Sequence, residues 1–182
     1  MNVQGLFSDL GDPGKPVQYA TLLPFSDMSL EEMSEFKIKL SSLPDERRRE
    51  ILEKMVQLCE DNPQIDFSAV FISALDDVDD VVREKSVLGL WESEDRSVLH
   101  SLISILTEDP SHRVRAAAAV SLRSFAFVAQ GGRLLPHDLS RICEALLCAI
   151  DFPKQDMEVK RRAIESLACF ESSEVPRVVL EA

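Results

Sequence analysis

The residues best suited to chemistry are two acid–base pairs at a common six-residue spacing, Asp77 with Arg83 and Asp109 with Arg115, followed by a looser pair, Asp151 with Lys160. A carboxylate held beside a cation can move protons or bind a charged substrate. It can also serve structure: an Asp in a turn caps the next helix, and an Arg on that helix reaches a turn carboxylate of its own or the following segment. Recurrence at like positions favours the second use, a ladder of Asp77, Arg83, Asp109, Arg115, Asp151 and Lys160 that sets the register of stacked segments. Asp109 followed by Pro110 fits an N-cap followed by the first helical residue.

Other chemistries lack their constellations. His100, His112 and His137 are scattered, and Cys143 and Cys148 bring no further ligands at zinc spacing, so no metal is expected. The four cysteines, Cys59, Cys143, Cys148 and Cys169, form no CxxC. In apolar helical context they read as small buried hydrophobes of a reducing, cytoplasmic setting. There is no GxSxG, and Gly131-Gly132 is not followed by the GK[ST] of a phosphate loop. That glycine pair reads instead as a helix C-cap. Asp76-Asp77 and Asp79-Asp80 lie in a turn where negative charge favours a helix N-terminus, and the alternating ligands and central glycine of a calcium loop are absent. The expectation is a protein without catalysis and without a cofactor.

Composition narrows the classes further. The chain has 182 residues, 45% hydrophobic and 6% aromatic, with a formal net charge of −12. This suits one compact domain or a short repeat array with a sizeable core. The acidity argues against nucleic acid, because phosphate binding needs a concentrated basic face. No apolar run approaches the ~20 residues of a membrane span, and the N-terminus lacks the basic start and apolar core of a leader. Charge is uneven: residues 76–110 carry −7, whereas 111–148 carry +3 through five well-spread arginines.

The elements that must position these residues are helices. Residues 1–28 hold three of the six glycines and three of the nine prolines and read as a loosely structured acidic arm, with Leu22, Leu23 and Phe25 placed to dock on the first helix. Ser29-Leu-Glu-Glu32 is a capping box, with Met28 and Met33 at staple positions. Met33, Phe36, Ile38 and Leu40 follow at helical spacing. Pro44 opens a helix with the stripe Ile51, Leu52, Met55, Val56 and Cys59, which Pro63 breaks. Phe67, Val70, Phe71, Ala74 and Leu75 make the next. No run of strict alternation long enough for a strand occurs.

Internal repetition is the strongest signal. Val82 to Leu90, Val114 to Leu122 and Val159 to Leu167 align without gaps, each with Val, a base, a small residue four on (Ser86, Ala118, Ala163) and Leu eight on. Those offsets share one helix face, and the small residue lets a neighbouring helix approach closely. Each segment follows an apolar helix and an acidic turn. The pattern, carried by Asp77…Val82-Arg83…Leu90, Asp109…Val114-Arg115…Leu122 and Asp151…Val159-Lys160…Leu167, resembles the short HEAT-like repeats of the phycobilisome-lyase type. The resemblance covers roughly residues 64–171. Val82 to Val114 is 32 residues but Val114 to Val159 is 45, the excess falling in a lengthened helix and loop over 125–136 and in 152–155.

The resemblance implies an all-α α-solenoid, a superhelix of about four antiparallel helical hairpins: a degenerate leading repeat 29–63, clearer repeats 64–92, 95–130 and 136–171, and a terminal helix 173–182. That last helix either closes the array or belongs to a longer one. Stacked hairpins make an extended binding surface, so the expected function is a non-catalytic scaffold binding an unidentified protein on the face lined by the second helices. Glu84, Leu88, Trp91, Arg123 and Arg162 are the expected contact residues, and the −7 segment favours a partner with a basic patch. Trp91, the single tryptophan, lies off the shared register. Core packing near Leu102 is its first expected role, by the usual burial of tryptophan, and a binding anchor its second. The alternative function, a bilin lyase or lyase subunit, rests on the resemblance alone.

Overall fold

The computed structural model of the chain describes residues 5, 7, 10–12 and 14–170. The architecture is all-α, with no strand among the described residues. No helix among them is long and apolar enough to cross a membrane. The terminal helix expected over 173–182 lies outside the described residues. The chain divides into two compact units, Met1–Leu90 and Trp91–Ala182.

The first unit contains α1 (Tyr19–Leu22), a 3₁₀ turn (Leu23–Asp27), α2 (Leu30–Ser41), α3 (Asp45–Asp61), α4 (Ser68–Ser73) and α5 (Asp80–Gly89). The Ser29 capping box forms as its spacing requires: Ser29 N–H donates to Glu32 Oε2 at 2.9 Å, and Glu32 N–H to Ser29 Oγ at 3.4 Å. α2 packs on α4, α3 on α5, and α4 on α5. The stripe of α3 is buried at Ile51, Leu52, Met55 and Val56. Phe71 of α4 lies so close to α5 that a Cβ on Gly89 would overlap its ring, so glycine is what permits the approach.

The segment expected to be a loose arm is packed where it is described. Phe7, Leu10, Val17, Leu22 and Phe25 are buried, and the rings of Phe7, Phe25 and Phe36 form a triangle with centroids 5.0–5.7 Å apart. Sequence punctuation by Gly and Pro marks turns but carries no information about long-range burial, and the aromatic cluster overrides it. Leu23, expected to dock, is largely exposed.

The second unit contains α6 (Arg96–Glu108), α7 (His112–Leu122), α8 (Ser124–Gln130), α9 (Pro136–Asp151) and α10 (Met157–Leu167). α6 packs on α7, α9 on α10, α6 on α9 and α7 on α10. α7 therefore has neighbours on several sides, and its run Ala116–Ala119 is wholly buried. The aligned positions Val114, Ala118, Leu122, Val159 and Ala163 are all buried, as are Val82, Ser86 and Leu90 in the first unit. The stretch expected as one lengthened helix is two: the chain turns at Arg123 and restarts as α8. α8 ends in a Schellman motif, in which Gly132 N–H donates to Ala129 O at 2.8 Å and Arg133 N–H to Val128 O at 3.0 Å. Gly132 adopts φ 66°, a left-handed conformation that glycine alone takes without cost.

Candidate functional site

The turn residues form the expected kind of contact with different partners. Arg83 Nη1 donates to the backbone oxygen of Asp77 at 2.8 Å, not to its carboxylate. The Asp77 carboxylate instead receives a bidentate pair from Arg48 of α3, both bonds at 2.9 Å, while Arg48 Nη1 donates to Leu43 O at 2.6 Å. Arg115 repeats this geometry in the second unit: Nη1 donates to Asp109 O at 2.7 Å, and Nε and Nη2 reach Gln155 Oε1 at 3.2 and 2.9 Å. Arg48 and Arg115 thus each tie their own turn to the turn of the next helix pair, whereas the bonds of Arg83 to Asp77 O and Val78 O stay within its own turn. Lys160 and Asp151 make no side-chain ion pair with a described residue; Gln155 takes the acceptor role expected of Asp151.

The helix caps also shift from their expected positions. Asp79, rather than Asp77, caps α5 by accepting from Val81 and Val82 N–H, each at 3.1 Å. Arg49 adds bonds to both Asp79 oxygens at 2.9 and 2.5 Å. The Arg49 guanidinium, together with those amides and against the cost of burial, pulls the Asp79 carboxyl down to about 2. Asp109 and Pro110 lie before α7, whose N-cap is Ser111, and Asp109 accepts from Ser111 N–H at 2.8 Å. Proline there keeps the chain extended for one more residue.

A polar cluster escaped the sequence reading. Asp138, only 1% exposed, accepts from Arg96 Nε at 2.6 Å and Nη2 at 3.2 Å. The imidazoles of His100 and His137 lie within 3.3 and 3.2 Å of the same carboxylate. Arg96, first, holds the Asp138 carboxyl below the usual range, with burial opposing and the histidines assisting. Arg96 and His100 are one helical turn apart on α6, and His137 and Asp138 open α9. With Arg96 bonded to both Asp138 oxygens, this arrangement clamps two helix starts together. No HxxxH spacing could have announced it, since the two histidines come from different helices.

The second unit carries a groove of about 480 Å³ lined by Trp91, Glu92, Ser93, Glu94, Val120, Ser121, Arg123, Ser124 and Phe127. Trp91 is 47% exposed and Phe127 71%, so the expected core role of the tryptophan is overturned. Its position one residue past the buried repeat leucine turns it off the packed face. Glu94 is held by Arg133 through a bidentate pair. The guanidinium of Arg123, exposed at the end of α7, bonds to no described residue.

Trp91 and Arg123 are therefore brought together as contact candidates, joined by Phe127, which the sequence reading did not single out. Its signal was available only as an apolar residue outside the aligned register. Arg162 is not part of the groove and is engaged by Glu158 and Glu165 of its own helix. Glu84 and Leu88 are half-buried on α5 of the first unit. A smaller cavity of about 360 Å³ is lined by residues including Arg115, Cys148, Phe152 and Gln155. Cys148 is exposed, contrary to its expected burial, and Cys143 is buried. Among the described residues, no group of three or more His, Cys, Asp or Glu side chains has metal-holding geometry. No family model, curated protein or solved structure matches this chain.

Proposed function

We propose that this chain is a HEAT-like helical-repeat protein with two helical hairpins in each unit, and that it acts by binding another protein. The aligned Val and small-residue positions, buried in both units, support the repeat reading, as do the buried Leu90 and Leu122, while Leu167 is half-buried. So does the packing of the second helix of one hairpin on that of the next, α3 on α5 and α7 on α10. The observation that carries the binding reading is the groove at Trp91, Arg123 and Phe127. Two large aromatic side chains left exposed around a concavity, beside an arginine that bonds to no described residue, have the composition of an interaction hot spot. The groove replaces the broader expected face, because Arg162 is already paired within α10.

The test is photo-crosslinking from Ser93 and Ser124, replaced by a photoreactive residue, in lysate of the native cell. A single partner protein crosslinked from both positions, and lost when Trp91→Ala and Phe127→Ala are combined in a variant with unchanged helical content, is the expected result. Crosslinking unaffected by those substitutions would remove the groove as the binding surface.

A further inference from the structure

We infer that Arg96, His137 and Asp138 form a proton-operated clamp between α6 and α9. Neutral His137 shares Arg96 with Asp138 and holds the first turn of α6; protonated His137 displaces one arm of Arg96 from Asp138 and loosens that turn. The clamp does not depend on what the groove binds. Its basis is the match of donors to acceptors. Arginine carries only N–H donors, and Arg96 Nη2 lies against two acceptors at once, Asp138 Oδ1 at 3.2 Å and the Nε2 of His137. A nitrogen that accepts from arginine has no proton of its own, so the bonded form of His137 is neutral with its hydrogen on Nδ1. The same Nε2 lies 3.2 Å from Asp138 Oδ1. These two contacts exclude each other: an unprotonated Nε2 accepts from Arg96, and a protonated one donates to Asp138.

Asp138 Oδ1 already has a full set of donors. Arg96 Nη2 supplies one, and His100 supplies the other from Nε2 at 3.3 Å, which its neutral Nε2–H form can do. A proton on His137 Nε2 adds a third donor and sets an imidazolium beside the guanidinium. Arg96 Nη2 then gives up both acceptors, leaving Nε on Asp138 Oδ2 at 2.6 Å. Arg96, first, holds the Asp138 carboxyl below its usual range, so the acceptor stays charged throughout. Imidazole changes charge between about pH 5 and 8, and His137 is exposed, so the proton arrives directly from solvent.

The surrounding charges are engaged elsewhere or share the sign of Arg96. Ahead of α6, Asp95 accepts from Ser97 N–H and Glu94 pairs with Arg133. From α10, packed on α9, Glu158 and Glu165 pair with Arg161 and Arg162, and Lys160 stands in the first turn, beside the far end of α9. From α7, packed on α6, His112, Arg113 and Arg115 stand in the first turn, beside the end of α6 away from Arg96. Arg123, where α7 ends, and Arg141, one turn past His137, are further positive charges, and neither stabilises a second cation beside Arg96.

Nuclear magnetic resonance of the full ¹⁵N-labelled chain reads each step. At about pH 8, above the imidazole range, ring nitrogen shifts should show His137 as the Nδ1–H form and His100 as the Nε2–H form. As pH falls, the Arg96 Nε–H signal should move with the midpoint of His137. The Leu99 amide donates to Asp95 O in the first turn of α6. Its exchange, corrected for intrinsic pH dependence, should quicken roughly tenfold on protonation, about the worth of one charge-assisted hydrogen bond. His137→Gln keeps an acceptor for Arg96 and cannot become charged, so it should abolish both changes, whereas His100→Gln should preserve them. Helical content and thermal midpoint establish that the variants fold.

His137 in the Nε2–H form at the high-pH end, an Arg96 signal indifferent to the titration of His137, or Leu99 exchange that does not quicken would overturn the clamp. All three are read on the unaltered chain, so they decide even where a variant does not fold. Changes that survive His137→Gln would overturn it as well, and changes lost in His100→Gln alone would give the switch to the other histidine.

Discussion

At the scale of single residues, carboxylates carry much of the structural load that the sequence offers as chemistry. Asp79 accepts from two amides at the start of α5 and from both arms of Arg49, so its ionised form is favoured in the fold. Its carboxyl lies at about 2 against an ordinary 3.8. A group whose folded value is depressed adds stability that is present above its unfolded value and is lost as pH falls through the folded one. The first unit should therefore weaken between pH 3.8 and about 2 through this group. Asp79→Asn should be less stable at neutral pH and show a shallower loss over that window, measured by urea unfolding at stepped pH. An identical pH slope in the variant would show that Asp79 does not contribute. Asp138, lowered in the same direction by Arg96, adds to acid sensitivity in the second unit.

At the scale of elements, arginines join one helix pair to the next. Arg48 is 3% exposed, and it bridges the Leu43 carbonyl of its own turn and the Asp77 carboxylate of the following one. Removing one member of a buried pair leaves the other charge without compensation, which costs about 3–5 kcal/mol. Arg48→Ala should destabilise the first unit by about that amount. Replacing the pair together, Arg48→Met with Asp77→Leu, should restore most of the loss, because two apolar groups leave no orphaned charge. A double-mutant cycle read by chemical denaturation checks both statements, and additive losses would show that the pair is not coupled. Small residues do the complementary work. Ser86, Ala118 and Ala163 are fully buried at equivalent positions of α5, α7 and α10, where larger side chains would hold neighbouring helices apart.

At the scale of the whole molecule, two compact units each bury their own apolar core. In the first, α3 packs on α5, and in the second α7 is packed by both α6 and α10. Amides in the most densely packed elements open only in the larger unfolding events. Hydrogen exchange should therefore be slowest in α3, α5 and α7, with α4 and α8, short helices of six and seven residues, exchanging sooner. Faster exchange in α7 than in α8 would contradict this placement of the core. On the protein-binding reading proposed above, a net charge of −12 acts at this same scale, by long-range steering of a partner with a basic surface.

What the sequence determined by itself is local and periodic. Helix type, the Ser29 capping box and the buried faces of the aligned segments follow from spacings of three, four and eight residues, which a helix converts directly into a shared face. The glycine pair at Gly131-Gly132 was legible as a C-cap for the same reason, since its chemistry is complete within one turn. Only the tertiary structure decided which charges meet. Asp77 pairs with Arg48 rather than Arg83, and Asp138 gathers Arg96, His100 and His137, because those partners are distant in sequence and packing alone brings them together. The groove belongs to the same class. Trp91 and Phe127 follow no shared period, and both are exposed along one groove beside the junction of α7 and α8 at Arg123. A helical period records the direction a side chain leaves its own helix, whereas a binding surface depends on where neighbouring helices stop.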